Sequence, residues 1–140
     1  MDLSWEQLCY NIKLIGNNLK KPQQVGGFFP DIFIGISGGG IIIADLLSRF
    51  LGGKIPTLCL WADRYSEFGK PNFDNTINEN LIKTLSKESY KNILIVDYIT
   101  KKGITMNSAM KYMNDRLKTN SIIKTCIVVT YKNTKFSSDF

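Results

Sequence analysis

The sequence predicts an α/β domain with a central, mostly parallel sheet flanked by helices. Two observations lead to this prediction. Short apolar runs alternate with amphipathic stretches along the chain, and two of the runs are followed at once by a turn that opens a helix. Because the chain has 140 residues, a single domain over 1–140 is expected.

The first half of the chain alternates helix and strand. Ser4 and Gln7 have capping-box spacing ahead of apolar residues at helical intervals, and a Gly52-Gly53 pair is typical of a helix end. The predicted elements are a helix over 4–20, a loop over 22–30, a buried strand over 32–36, a helix over 41–51 and a strand over 55–61.

The second half begins with a long polar stretch, 62–91, interpreted as a functional loop or flexible flap with weak strand or helix character near 77–85. The apolar run that follows is the clearest strand signal in the chain. The remaining predictions are a strand over 93–97, a turn over 98–103, a helix over 105–117 and a strand over 124–131.

Composition narrows the function classes. Eighteen Lys and Arg against twelve Asp and Glu give a net charge of +6, which favours anionic partners. The absence of histidine excludes a Ser-His-Asp triad, a Cys-His pair and a His-ligated metal. Cys9, Cys59 and Cys126 have no metal-binding spacing and are expected to be reduced thiols. With no apolar run of about 20 residues and no signal-peptide pattern, the chain is expected to be cytoplasmic, without a membrane partner.

Two turns at predicted strand ends are the candidate ligand site. Residues 37–40 are Ser-Gly-Gly-Gly, and residues 97–105 begin with an acid and contain two lysines and two threonines. Backbone amides of a glycine turn, together with the positive end of the helix dipole, favour a phosphate or pyrophosphate. The competing interpretations are a tight turn with no ligand for the first and a solvated surface loop for Lys101-Lys102.

These turns make the chain resemble a type I phosphoribosyltransferase of the purine-salvage branch. Residues 35–40 resemble the family's "GISRGG" pyrophosphate loop, and residues 95–105 lie on its "VDDxxDTGxT" signature. The resemblance implies a phosphate or phosphoribosyl pyrophosphate site formed by Ser37, Gly38, Gly39, Gly40, Asp97, Thr100, Lys101, Lys102, Gly103, Ile104 and Thr105. It also implies Mg²⁺ bound with phosphoribosyl pyrophosphate or a nucleotide, but no metal site of the chain's own.

Other parts of the family pattern fall on the middle and the end of the chain. Arg64 and Tyr65 lie where the family's flexible loop carries "SY". Lys132 and Phe136 are the implied base-binding residues, within a region (124–140) that resembles a remnant of the family's hood. The expected fold is therefore a phosphoribosyltransferase-like fold with a reduced hood.

The signature departs from the family at the residues that perform transfer. Asp97 matches the first acid, which contacts ribose hydroxyls and is the one catalytic candidate. The second acid is replaced by Tyr98, and the third, the family's proposed general base, by Lys101. A lysine with a pKa of about 10.4 is protonated at neutral pH and cannot accept a proton. The sequence therefore favours a degenerate member that binds a phosphorylated small molecule or nucleotide as a sensor or regulatory subunit.

Two alternatives remain open. The first is an active purine phosphoribosyltransferase or related N-glycosidic enzyme in which Asp63 or Glu67 replaces the base. The second is a structural or nucleic-acid-contacting module of a larger complex, since lysines recur along the chain. The resemblance implies a homo-oligomer or a subunit of a larger assembly in either case.

Overall fold

The computed structural model describes residues 3–21, 27–63, 70–100, 102–131, 134 and 136–140. Four helices and four strands alternate along these residues. In chain order the helices and strands are α1 Trp5–Lys20, β1 Ile32–Ile36, α2 Gly39–Phe50, β2 Thr57–Leu60, α3 Thr76–Glu88, β3 Asn92–Thr100, α4 Ile104–Arg116 and β4 Ile122–Thr130.

The four strands form one parallel sheet in the order β2-β1-β3-β4. Gly35 of the central strand β1 lies opposite Cys59 of β2 on one side and Val96 of β3 on the other. The predicted fold class, a parallel sheet flanked by helices, is confirmed. Because β1 and β3 are neighbours, the turns that follow them emerge side by side at one edge of the sheet.

Alternation along the strands divides the core into two layers. On β3, Ile93 and Ile95 face a layer with α3 and α4, whereas Leu94 and Val96 face a layer with α1 and α2. All four side chains are fully buried. A parallel sheet covered on both faces requires such continuous apolar strands, and this requirement explains why the strands were recognisable in the sequence.

The polar stretch 62–91 is not one long loop, and the interpretation of the whole stretch as a flexible loop is wrong. Residues 76–88 form α3, whose N-cap Asn75 accepts a hydrogen bond from the Asn78 amide. Leu81 and Leu85 recur at helical spacing and are buried against the sheet. Mostly polar residues still form a helix here because one apolar stripe and one cap suffice when a sheet covers the stripe.

The strand before the second turn is longer than predicted. β3 continues through Thr100, because residues 99 and 100 pair with Val129 and Thr130 of β4. The turn between β3 and α4 is therefore shorter than the predicted 98–103. Both helices that follow the glycine turns also begin earlier than expected, α2 at Gly39 and α4 at Ile104.

After Thr130 the described residues add no further helix or strand. Among the described residues, no helix is long and apolar enough to cross a membrane.

Candidate functional site

The candidate site lies where α2 and α4 begin, at the carboxyl ends of the adjacent strands β1 and β3. Open parallel sheets bind their ligands at this edge. The residues of both predicted turns, 37–40 and 97–105, belong to this edge, apart from Lys101, which lies outside the described residues.

The two turns are in van der Waals contact. A Cβ added to Gly39 would lie 2.6 Å from the Cβ of Tyr98, and one added to Gly40 would lie 2.4 Å from the carbonyl oxygen of Val96. No side chain fits between α2 and the end of β3. Glycine at positions 39 and 40 therefore lets the N-terminus of α2 approach the end of β3 closely.

The capping of the helices distinguishes this edge from the rest of the molecule. The side chains of Ser4 and Asn75 accept hydrogen bonds from amides in the first turns of α1 and α3. Gly38 and Gly103 cap α2 and α4 and supply no such acceptor, and neither helix has an acidic residue in its first turn. The first amides of a helix have no partner within that helix. These two N-termini can therefore donate hydrogen bonds to an external anion.

Both capping glycines have backbone angles that other residues rarely adopt. Gly38 has φ +90° and ψ −124°, and Gly103 has φ +76° and ψ 7°. The Gly38 backbone is also exposed to solvent, whereas Gly103 is buried. A β-carbon would strain either turn, so glycine at these positions sets the direction in which the helix amides point.

Asp97 is the one carboxylate of the second turn. It is 8% exposed, and its Oδ1 accepts a hydrogen bond from the Tyr98 amide at 2.8 Å. The described residues contain no cluster of three or more Asp, Glu, Cys or His that could hold a metal. Tyr98 offers no carboxylate where the family pattern has its second acid. The donor set therefore does not fit a resident magnesium ion.

The hydroxyls of Ser37 and Thr100 support the turns from inside. Ser37 Oγ accepts from the Ala62 amide at 2.8 Å, which ties the end of β1 to the residues after β2. Thr100 Oγ1 accepts from the Gly103 amide at 2.7 Å, so this amide is engaged within the protein. The amides of residues 104 and 105 are among those at the second turn that can donate to a ligand, and they lie beside the exposed Lys102.

Phe136 of the implied base-binding pair packs on this turn. A Cβ on Gly103 would lie within 2.4 to 2.8 Å of three carbon atoms of the Phe136 side chain. The structure thus brings an aromatic ring to the N-terminus of α4. The other implied base-binding residue, Lys132, and the predicted flexible-loop residues, Arg64 and Tyr65, lie outside the described residues.

Sequence reasoning missed Asn78, which secures the neighbouring strand end. It is fully buried; its Nδ2 donates to the carbonyls of Trp61 and Phe73 at 2.7 and 2.8 Å, and its Oδ1 accepts from the Trp61 amide at 2.8 Å. The sequence carries no clear signal for this role, because the burial that obliges the Asn78 amide to find hydrogen-bond partners is known only from the structure.

Comparisons with known proteins agree on the family and the fold. The phosphoribosyl transferase domain family matches residues 10–139. No curated protein matches the chain.

Three similar solved structures have TM-scores near 0.7. A purine phosphoribosyltransferase from Pyrococcus horikoshii has a TM-score of 0.69 and 24% identity, covering 98% of this chain and 82% of that one. A xanthine-guanine-hypoxanthine phosphoribosyltransferase from Helicobacter pylori has 0.67 and 18%, covering 97% and 80%. A hypothetical protein from Neisseria gonorrhoeae with bound ppGpp has 0.70 and 19%, covering 96% and 75%.

Proposed function

Since the chain belongs to the phosphoribosyl transferase domain family, we propose that it binds a phosphorylated ligand, either a nucleotide or a phosphoribosyl group, with little or no transfer activity. It would then act as a sensor or regulatory subunit, as a homo-oligomer or within a larger complex. The proposed binding residues are those of the two turns, 37–40 and 97–105, with Phe136 and Lys132 beside the base. The ligand's anionic groups supply most of the binding energy.

The observation that supports this proposal is the pair of helix N-termini without side-chain caps. Gly38 and Gly103 supply no side-chain acceptor to the first amides of α2 and α4, so these amides can donate to a ligand. The two helices follow adjacent strands, and Gly39 and Tyr98 bring their turns into contact. Two neighbouring helix N-termini suit a ligand with two phosphate groups, because each phosphate group can accept hydrogen bonds from the amides of one N-terminus.

Weak transfer follows from the residues that replace the signature acids. Tyr98 packs against Gly39 and cannot supply a carboxylate. Lys101 stands where the family has its proposed general base, and a protonated lysine cannot take a proton from the attacking purine. A missing general base costs about 10²- to 10⁴-fold in rate.

One observation favours retained transfer as a second candidate function. Asp97 remains at the end of β3, buried and held by the Tyr98 amide, where the family's ribose-contacting acid stands. Of the two acids proposed to replace the base, Asp63 forms an isolated antiparallel bridge with Asn72, and Glu67 lies outside the described residues.

The test is a calorimetric titration of the full chain with phosphoribosyl pyrophosphate, GMP and ppGpp, each with and without Mg²⁺. ppGpp is included because it is bound by the structurally similar Neisseria gonorrhoeae protein. We expect at least one of these ligands to bind without Mg²⁺, since the protein's own donor set does not require the metal. No heat with any of the three ligands would contradict the proposal.

A transfer assay separates the two functions. Wild-type protein is incubated with phosphoribosyl pyrophosphate and guanine, hypoxanthine or xanthine, and nucleotide formation is followed beside the Asp97→Ala variant. The proposal predicts turnover that is absent or about 10²- to 10⁴-fold below that of an active purine phosphoribosyltransferase assayed beside it. Turnover at the rate of the active enzyme that Asp97→Ala abolishes would establish the enzyme instead.

A further inference from the structure

The C-terminal strap, residues 136–140, connects the edge of the sheet to the candidate site. The strap runs from Phe136, at the N-terminus of α4, back to the outer edge of β4. Its first residue touches the site and its last two touch the strand, so the strap can relate the two places.

The strap is held to β4 mainly through Thr125. Asp139 Oδ2 accepts hydrogen bonds from the Thr125 amide at 2.8 Å and from the Thr125 hydroxyl at 3.1 Å. The Phe140 amide donates to the Thr125 carbonyl at 3.0 Å, and the Ile127 amide donates to the Phe140 carbonyl at 3.3 Å. These bonds give partners to groups of Thr125 on the outer edge of β4, and Thr125 is 5% exposed with the strap in place.

An aromatic contact adds a second attachment. The ring of Phe140 stacks on Phe28 at a centroid distance of 5.9 Å, and Phe28 is 2% exposed. The strap is therefore attached to the rest of the fold at residues 139–140, and its other end, Phe136, contacts the candidate site. Among the attachments, the Asp139 carboxylate is the one made by a polar side chain of the strap.

We infer that Asp139 is a positioning residue, which holds Phe136 over the N-terminus of α4 and thereby strengthens anion binding there; the inference rests on the proposed function. Phe136 occupies the space beside Gly103 that a β-carbon would fill. We expect this ring to shield the amides of the first turn of α4 from part of the solvent. Hydrogen bonds to an anion are stronger when water is excluded, because the local dielectric falls.

Two matched variants test whether the hydrogen bonds between Thr125 and the Asp139 carboxylate hold the strap in place. Both hydrogen bonds from Thr125 go to a single oxygen of Asp139, and an asparagine amide oxygen in the same place can still accept them. Asp139→Asn and Asp139→Ala both remove the negative charge, but only Asp139→Asn keeps a side-chain oxygen that can accept the hydrogen bonds from Thr125. Removing a negative charge alone would strengthen the binding of an anion, so weaker binding in the alanine variant cannot be a charge effect.

The experiment measures the affinity for phosphoribosyl pyrophosphate at fixed ionic strength in the wild type, Asp139→Asn, Asp139→Ala, Phe136→Ala and the Phe136→Ala/Asp139→Ala double variant. We expect Asp139→Ala to raise the Kd about tenfold, as when the closed strap becomes about tenfold less populated. Asp139→Asn should stay within about twofold of wild type. The double variant should bind no more weakly than Phe136→Ala, because Asp139 acts through that ring.

Hydrogen exchange of the Thr125 amide, followed without ligand, shows whether the strap has separated from β4 in Asp139→Ala. Faster exchange with unchanged affinity would overturn the inference and leave the proposed function standing. So would additive losses in the double variant, which indicate general destabilisation. No binding of phosphoribosyl pyrophosphate by wild type, where GMP or ppGpp binds, would overturn the inference for this ligand class alone. Silence with all three contradicts the proposed function itself.

Discussion

Gly39 and Tyr98 are packed so closely that no side chain fits between them. The position of a Cβ on Gly39 is 2.6 Å from the Cβ and 3.2 Å from the Cγ of Tyr98. Tyr98 also packs on the core layer shared with α1 and α2. The Tyr98 side chain therefore limits how closely the two turns can approach each other.

The first prediction is that Gly39→Ala destabilises the fold. Alanine is the better helix former by about 1 kcal/mol, so helix propensity alone would stabilise the variant. The contact with Tyr98 should outweigh this gain and cost about 1–3 kcal/mol, the usual range for overpacking. Urea unfolding measures the change. A variant as stable as wild type would show that the turns are not in contact.

The second prediction compares two glycines with positive φ. Gly38 has φ +90° at the N-terminus of α2, and Gly53 has φ +74° in open space after the same helix. Alanine should cost about 1–2 kcal/mol of stability at Gly53 and at least as much at Gly38, whose φ and ψ lie outside the left-handed helical region. Only Gly38→Ala should also weaken ligand binding, because it redirects the amides of the site. Urea unfolding measures the stability of the two variants, and calorimetric titration with the ligand that wild type binds most tightly measures their affinities. Equal affinities in the two variants would place the ligand elsewhere.

The third prediction concerns Asn78, which holds the end of β2. Asn78→Ala removes three hydrogen bonds and leaves the Trp61 amide and the buried Phe73 carbonyl without this partner, while Asn75 Nδ2 still donates to the Trp61 carbonyl at 3.3 Å. A loss of about 2–4 kcal/mol is expected, since unsatisfied buried groups cost about 1–3 kcal/mol each and partly regain water. Asn80→Ala, an exposed asparagine on the same helix, is the matched control. Similar urea midpoints for both variants would contradict the assigned role.

Periodicity made the strands and three of the helices predictable. The run Ile32–Ile36 and the apolar face of α1 are signals that local sequence carries by itself. The helix α3 was left open because its residues are mostly polar. Its Asn75 cap and the spacing of Leu81 and Leu85 become decisive only when the sheet covers that face.

The site was predictable as a pair of turns but not in its details. Glycines after an apolar run indicate the turns, and the parallel topology places them at one edge. Which amides are engaged depends on single hydrogen bonds, such as the one from Gly103 to Thr100, and these have no sequence pattern. The strap on Thr125 joins residues 14 positions apart through one carboxylate, for which no periodicity exists.

The fourth prediction concerns alkaline pH. Burial raises the pKa of the fully buried Cys126 thiol from 9.0 to about 12. In the unfolded chain the thiol loses its proton near pH 9, so the unfolded state is favoured as the pH rises from 9 to 12. At pH 10 this costs about 1.4 kcal/mol relative to pH 8. Burial also raises the pKa of Cys59.

Comparison with Cys126→Ala isolates this contribution. Urea unfolding at pH 8 and pH 10 should show a smaller loss of stability with pH in the variant than in the wild type, while all other groups titrate alike in both. Equal losses in the two proteins would mean that Cys126 is accessible to solvent or does not ionise in this range.

The central claim is that two adjacent helix N-termini bind the anionic groups of one ligand. Its most direct measurement is a titration with phosphoribosyl pyrophosphate followed by the amide resonances of Gly38, Gly39, Gly40, Ile104 and Thr105. The account predicts that resonances of both turns shift together and with one affinity. Shifts confined to other surfaces, or no shift at either turn at saturating ligand, would contradict it.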